Sequence, residues 1–440
     1  MEEQTLVTPG GMGQSYAQWP TRLNRKTIQT TQAASMHPQR KILHNELHAR
    51  PSLYFDEPAH VFHLAFLGDN AQCTALLERL CPDSVVDQAA QGITRIDGHP
   101  LKWERHAEFF TLTLVVPAAS HELQWTTLPE CLAQGIEGHA PQIINSVQVV
   151  VRSEDGLDLS GYGFKDPCGS SVGGGDAVVW SDFRLTEDGT NRFLFINRRL
   201  NAYRQGRMIR RLLEIETYRM MASLSLSIAK TLDPQLNEFD RSLVTLSERN
   251  ANASGVHAKA LLEDIAQLSR QIVGSSVKNR HRFSATRAYA QLVFERLGEL
   301  RESHLGDCQR LGVFIERRFK PTVRYCAATE QRLEQLAMSV ANLGDLLQAR
   351  VQVEMEDQNA EILRSLNARA DAQVKIQRAV EGLSIIAITY YLINLFKLVY
   401  SGLHTLGADL SAREALLGMA PPVLLIMLVI MLRIRKAKNH

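Results

Sequence analysis

Neither sign of charge dominates this chain: over 440 residues, 49 Lys and Arg face 47 Asp and Glu, for a net charge of +2. That balance excludes bulk electrostatic attraction, so no nucleic-acid partner is expected. Cysteine is scarce and scattered. Cys73, Cys81, Cys131, Cys168, Cys308 and Cys326 form no CxxC pair, which excludes a zinc knuckle or a disulfide framework and suits reduced cytosolic thiols. The opening MEEQTLVTPGGMGQ is acidic and has no apolar run, so no secretory signal is expected. The zinc-protease pattern HExxH is absent. The glycine-rich Gly169–Gly175 (GSSVGGG) lacks the GK[ST] ending and the strand-loop-helix frame of a phosphate-binding loop, and reads as a flexible loop. There is no internal repeat of fixed period and no catalytic constellation, so a non-enzymatic protein is expected.

What is present is concentrated at the far end. Gly382–Tyr400 (GLSIIAITYYLINLFKLVY) holds one charge, Lys397, and Ala415–Leu432 (ALLGMAPPVLLIMLVIML) holds none. About 20 apolar residues of helix cross a hydrocarbon layer of ~30 Å, so both read as transmembrane helices. Pro421 and Pro422 fall early in the second, where a kink is tolerable. The connector, residues 401–414, is short, so the two spans form a hairpin. Arg364, Arg369, Lys375 and Arg378 precede the first span, and Arg433, Arg435, Lys436 and Lys438 follow the second, against Arg413 alone between them. The excess of basic residues on the outer flanks places both ends, and the bulk of the chain, in the cytoplasm. Within the first span, Tyr390, Asn394 and Lys397 share a polar stripe. Such groups face protein or a water-filled path. A ring of Lys397 would repel cations.

No proline interrupts Thr322 to Val380, and Pro321 suits a first helical turn. Leu333, Leu336, Val340, Leu343 and Leu347 step by three and four, and Leu363, Leu366 and Ala370 resume the spacing. That is a coiled-coil type of seam, on a stalk helix roughly 90 Å long at 1.5 Å per residue. A seam this narrow needs neighbours from its own chain or from other subunits, so a homo-oligomer is expected.

Upstream, two or three domains are expected from the length. Residues 1–36 read as a mobile arm. Strand character appears in the second half of Ser52–Leu67, over Leu101–Val116, over Ile143–Arg152, and in Ala177–Leu185 and Arg192–Leu200, the last two joined by a hairpin signal at Glu187–Thr190. Ala71–Leu80 reads as an amphipathic helix closed by Pro82, and residues 158–176 as a glycine-rich loop. Residues 37–204 thus form an α/β domain with a mixed or antiparallel sheet. From Gln205 strand signals almost vanish. Helices are expected over Arg207–Leu232, stopped near Asp233-Pro234, then over Gln235–Glu248, Ala258–Ile272 and Ser284–Phe319, as a bundle spanning 205–320. The fold class is α+β: this sheet domain, the bundle, the stalk helix 321–381, spans 382–400 and 415–432, and a basic tail 433–440.

Candidate chemistry is thin. His44 and His48 lie four apart, so on a helix they share a face and suit one metal ion. Glu104, His106 and Glu108 alternate onto one face of a strand, and with the histidines they make a candidate divalent-metal set. The alternative is structural hydrogen bonding that docks the segment on the sheet. Glu214, Glu216 and Arg219, with Arg207, Arg210 and Arg211, form a charge run that suits a solvated face or an interface. Arg280, Arg282 and Arg287 suit either an anion or pairing with that run, and pairing is the reading preferred.

Several stretches resemble a known family. HPQRKILHNELHARP at 37–51, WERHAEF at 103–109, VVWSDFRLTEDGTNRFLF at 178–195, GRMIRRLLEIETYRMM at 206–221, RHRFSATRAY at 280–289 and VEGLSIIAITYY at 380–391 are similar to the bacterial membrane-anchored proteins grouped as domain of unknown function 3422. The resemblance implies an inner-membrane location and assigns no activity. The layout also resembles CorA-type magnesium channels, with their cytoplasmic α/β domain, stalk helix and two C-terminal spans. The Gly-Met-Asn signature of those channels is replaced here by Lys397-Leu398-Val399-Tyr400-Ser401-Gly402, which argues against ion conduction. The leading expectation is a membrane-anchored oligomer with a sensing or scaffolding domain. The alternative is a divergent CorA-like ion channel or transporter.

Overall fold

A computed structural model describes residues 37, 39–45, 52–82, 89–119, 124–154, 158–252 and 258–405, with scattered positions between 413 and 432. The expected arm 1–36, His48, half of the second span and the tail 433–440 lie outside the described residues. The protein is mixed α+β, with an eight-stranded sheet followed by long helices. The chain divides into two compact units. One holds residues up to Val244 together with Gln267–Ser339; the other holds Thr245–Ala266 and everything from Val340.

In the first unit a short helix α1 (Arg40–Asn45) precedes strand β1 (Ala59–Leu67), helix α2 (Asn70–Leu80), strands β2 (Gln91–Ile96), β3 (His99–Arg105) and β4 (Phe109–Pro117), and helix α3 (Glu130–Gly135). Strands β5 (Ile143–Ser153), β6 (Cys168–Val172), β7 (Ala177–Ser181) and β8 (Asn191–Asn197) complete the sheet. The order is β2-β3-β4-β1-β5-β8-β7-β6. Every neighbouring pair is antiparallel except β5 and β8, which run parallel, so the sheet is mixed. The central strand β1, AHVFHLAFL, is buried along almost its whole length. A strand covered on both faces loses the polar-apolar alternation of a half-exposed one.

The two faces bury different cores. Phe62, Leu64, Phe66, Leu101, Trp103, Phe110, Leu112 and Leu114 pack with Cys73, Leu76 and Leu77 of α2 and Leu132 of α3. Helix α2 starts at Asp69 through a reciprocal capping box with Gln72, which satisfies two otherwise orphaned N–H groups. The opposite face presents Val61, Ala65, Phe109, Val115, Val147, Val149, Phe193 and Phe195 to three helices. These are α4 (Ala202–Asn252), α5 (Ala258–Glu299) and α6 (Leu311–Thr405).

The helices are longer than their prolines predict. Helix α4 does not stop at Asp233-Pro234 but runs through Pro234. Leu232, Leu236 and Phe239 are buried on either side of it, and Arg332 of α6 donates to Asp240 and, at 2.8 Å, to Asn237. Packing of this extent outweighs a cost of about 3 kcal/mol for an interior proline. Likewise Pro321 is not a first-turn residue; it sits inside α6, which begins at Leu311. The stretch 158–176 is not all loop. Cys168–Val172 forms the edge strand β6, and Gly173, Gly174 and Gly175 adopt positive φ in the turn to β7. Residues 300–310 cover that edge, with Ser303 and Ser171 exchanging backbone hydrogen bonds at 2.8 and 3.2 Å. Covering an exposed edge blocks strand addition by another chain.

In the second unit Val340, Leu343 and Leu347 of α6 are buried, as are Leu246, Ala258, Leu261 and Ile265. Gly344 faces the Ile265 side chain, which a Cβ there would meet at 3.6 Å, an ordinary van der Waals contact. This part of the seam is therefore filled by the chain itself. Further along α6, Leu363 and Leu366 are exposed.

Candidate functional site

The face of the sheet that meets α4 is largely apolar, with polar side chains such as Asn191 bonded to Glu216 of that helix and one further polar patch. Register builds it. Thr113 of β4 sits between His63 of β1 and Lys102 of β3, and Thr111 sits opposite Glu104. Residues two apart on a strand share a face, so Lys102 and Glu104 lie together. Their neighbours Leu101 and Trp103 enter the core on the other side. Helix α4 lays Arg210, Glu214, Thr217 and Tyr218 over the patch, and the result is a cavity of about 40 Å³. That is room for about three waters, at about 10–15 Å³ of probe volume each. Its walls include Leu53, Phe55, Val61, Val115, Ile209 and Leu213.

Gly206 sets the depth of this cavity. It lies in the first turns of α4, and a Cβ there would sit 1.9 Å from the Leu53 carbonyl oxygen. Only glycine lets the backbone of 52–55 approach the helix so closely. Gln205 donates to the Phe55 carbonyl at 2.9 Å and ties the same segment down.

His63 is fully buried and bridges two hydroxyls, with Nδ1 at 2.8 Å from Thr113 Oγ1 and Nε2 at 2.9 Å from Thr217 Oγ1. Thr217 also accepts from Asn145 Nδ2 at 3.2 Å. A neutral imidazole has one donor and one acceptor nitrogen, and two hydroxyls satisfy both. Burial drives the His63 imidazole down to about 4; Glu104 pulls it back in part, and Lys102 and His106 add to the fall. His63 is therefore neutral at physiological pH.

Lys102 is buried, and its Nζ stands 3.0 Å from Glu104 Oε1. Among the described residues Glu104 is the one carboxylate in ion-pair contact with the ammonium, and no further acceptor is aligned with it. Burial lowers the Lys102 ammonium, and the adjoining Glu104 carboxylate holds it up in part. Burial also raises the Glu104 carboxyl, but Lys102, with His106 and His63, outweighs it and leaves the group below the usual carboxylate range. Arg210 lies 3.3 Å from Glu214. The cavity is therefore lined by two ion pairs and a neutral imidazole. Such a site is chemically able to hold a small acceptor.

Ion pairs and ring stacks around the cavity fix these elements. Arg282 of α5 makes a bidentate contact with Glu108 at 2.6 and 2.8 Å. His106 stacks on Phe109 at 4.1 Å, and Tyr218 stacks on Tyr289 at 5.7 Å. Burial, then the Glu108 carboxylate, raises the Tyr289 phenol. Glu216 is fully buried and accepts from Asn191 at 2.8 Å and from Arg219 at 2.8 and 3.0 Å. Glu214 also accepts from Arg296 of α5.

Of the residues the sequence offered as metal ligands, Glu104 and His106 line the cavity. His44 is exposed on α1 and is not among the lining residues, and His48 lies outside the described residues. Among the described residues no group of three or more His, Cys, Asp or Glu could hold a metal ion. Glu108 does not continue the face of Glu104 and His106, because β3 ends at Arg105 and Glu108 turns to Arg282. The preferred pairing of the basic cluster with Glu214 and Glu216 is also corrected: Arg282 pairs with Glu108 and Arg287 with Glu330. Tyr390, Asn394 and Lys397 are exposed on α6. Sequence reasoning missed His63, Lys102 and Thr217. The signal for Lys102 was available, since it alternates with Glu104 on a strand whose other face is Leu101 and Trp103.

The cavity also gathers stretches that are distant in sequence: 103–109 supplies Glu104, His106 and Phe109, and 206–221 supplies Gly206 to Tyr218. Fold and site together define a mixed α+β protein with a buried polar cavity under its first long helix. The chain belongs to the family described as Protein of unknown function (DUF3422), whose model matches residues 35–440. No curated protein and no solved structure matches it.

Proposed function

We propose that this protein is a membrane-anchored oligomer whose sheet unit holds a small ligand in the Lys102–His63 cavity, on the cytoplasmic side of a bacterial inner membrane. The observation that carries the reading is the far end of α6. This helix contains a stretch long and apolar enough to cross a membrane, and none of that stretch is buried by the described protein. Leu383, Ile386, Tyr391 and Leu398 are each about two-thirds exposed or more. Leaving so many large apolar side chains in water costs about 1.5–3 kcal/mol apiece relative to burial, and a bilayer removes the cost. The basic residues before and after the two apolar runs favour a cytoplasmic location for both ends.

Assembly through the stalk is supported by a second pattern. Met355, Ile362, Leu366, Ile376 and Val380 are exposed and fall on one seven-residue repeat, with Asn359, Arg369 and Gln373 at the seam positions between them. Apolar residues at this spacing seek a partner helix, and a polar seam residue selects its register and number.

The test is fractionation of cells expressing the full chain, followed by detergent-free lysis and ultracentrifugation. The protein should sediment with membranes, resist carbonate extraction, and move to the supernatant when residues 382–440 are deleted. A tag behind His440 should be shielded in intact spheroplasts. Recovery of the full chain in the supernatant would sink the anchoring.

A further inference from the structure

The strongest feature outside the Lys102 cavity is a second, larger concavity in the same unit. It has a volume of about 380 Å³ and lies between the turn after β7, the loop before β6, α4 and the first turns of α6. We propose that it binds a phosphate-bearing ligand, held by Lys165, Arg184 and Arg318. The site is separate from the one invoked for the cytoplasmic ligand and does not depend on it.

Three observations carry this. The first is charge. Lys165, Arg184 and Arg318 all line the concavity, and among the described residues none has a carboxylate partner. Asp166 and Asp182 also line it, but both Asp182 oxygens are already engaged. Oδ2 accepts the Lys165 backbone N–H at 3.0 Å and Oδ1 accepts the Arg184 backbone N–H at 3.1 Å. Asp182 is thus a bracket that holds the backbones of two cationic residues side by side instead of neutralising their side chains. Arg219 also lines the site and spends Nε and Nη2 on Glu216. Three cations against two carboxylates, with Arg219 and Glu216 cancelling, leave an excess positive charge that an anion would balance.

The second observation is strain. Phe183 has a φ of 52°, a left-handed conformation that bulky residues avoid, and Asp166, of a type that tolerates it, has 58°. Both line this concavity. Phe183 is held there by its N–H, which donates to Ser181 Oγ at 3.1 Å, and by its ring, stacked on Phe314 at 4.9 Å and edge-on to Phe193 at 5.5 Å. Backbone strain at a cleft is a common mark of a functional site.

The third is preorganisation of the opposite wall. The Arg318 guanidinium lies 3.7 Å from the centre of the Phe314 ring, so the stack Phe183–Phe314–Arg318 fixes a cation that a free surface arginine would leave mobile. Donors from two walls suit a tetrahedral anion, whose oxygens point in several directions. A planar carboxylate is satisfied by one fork. A ligand here touches the loops before β6 and after β7 and, through Phe314 and Arg318, the start of α6.

The phosphate has two sources, a soluble phosphate ester or a phospholipid headgroup, and both enter the test. Full-length protein in uncharged detergent is titrated with inorganic pyrophosphate, with dihexanoyl-phosphatidylglycerol and with citrate. We expect saturable binding of one of the two phosphorus probes below about 1 mM, weakened about tenfold by Arg318→Ala and by Arg184→Ala and unchanged by Arg317→Ala, a neighbour outside the site. Thermal unfolding of each variant confirms that the fold is kept. Binding of pyrophosphate alone assigns a soluble ligand, and binding of the lipid alone assigns a headgroup. The proposal is overturned if neither binds, if citrate binds as tightly, or if Arg317→Ala weakens binding as much as Arg318→Ala.

Discussion

His63 offers a stability term that acidification should expose. Its imidazole titrates at about 4 in the folded protein and near 6.5 when unfolded. Between those values the unfolded chain binds a proton that the folded chain refuses. Stability therefore falls as pH falls through this window, and above about 7 both states are neutral and the contribution is zero. At pH 4.5 the two titrations correspond to about 2.5 kcal/mol of lost stability, and below pH 4 the loss levels off at about 3 kcal/mol. Carboxylates and other histidines also titrate, so the measurement is a difference. Denaturant unfolding of the wild type and of His63→Gln is followed at pH 7.5 and pH 4.5 by the fluorescence of Trp103, Trp125 and Trp180, which all lie in the sheet unit. His63→Gln should start less stable at pH 7.5, because the amide reaches the hydroxyls of Thr113 and Thr217 less well. It should then lose about 2.5 kcal/mol less than the wild type on going to pH 4.5. Equal losses in the two proteins would refute the claim that His63 is held neutral by burial.

Other expectations follow from single contacts. Glu104→Gln leaves the Lys102 ammonium buried without its counter-charge and should cost about 3–5 kcal/mol, whereas replacing both members by methionine should cost far less, since a buried pair exchanged whole for apolar side chains is nearly neutral; the comparison is read from urea unfolding. Gly206→Ala drives a methyl into the Leu53 carbonyl oxygen and should destabilise by more than about 2 kcal/mol, with hydrogen exchange accelerated over residues 52–55. Burial pushes the Cys168 thiol up to about 12, so Cys168 should resist alkylation at pH 8 until the sheet unfolds, while the half-buried Cys308 labels first in peptide mapping.

The sheet was legible where its strands had apolar content to show and obscure where they did not. Strands β1, β4, β5, β7 and β8 carry Val, Phe, Leu and Ile in runs, and the pattern found all of them. Strand β6, CGSSV, has almost no such content. Its glycine is required because a Cβ at Gly169 would lie 2.5 Å from the Trp180 ring, so the residue most typical of a loop is there to admit an indole. Strand β2, QGITRI, is an edge strand whose Gly92 does the same for Trp103, and it passed unread. The helices were misjudged in the opposite direction. Pro234 and Pro321 are strong local stop signals, but local preference of about 3 kcal/mol loses to packing on both sides of each.

The site shows why polar residues in a core are hard to rank from sequence. Glu104 and His106 stood out because the strand's period placed them together, and both reached the cavity. Lys102 was passed over because lysine usually marks a solvated edge, and His63 because it sits inside the apolar run AHVFHLAFL, where a lone histidine reads as filler. What distinguishes them is cross-strand register, which brings His63, Thr113 and Lys102 into one row, and Thr217, which descends from a helix more than a hundred residues away to close it. Register and that long-range contact are set by tertiary pairing, not by any local period. Burying a lysine and a histidine in one row, with a glutamate in the next, costs several kcal/mol that apolar rows would not. A fold that needed only stability could have placed valines there. The expense is therefore an argument that the patch does something other than hold the sheet to its helix, and the cavity beside Lys102 is where to look.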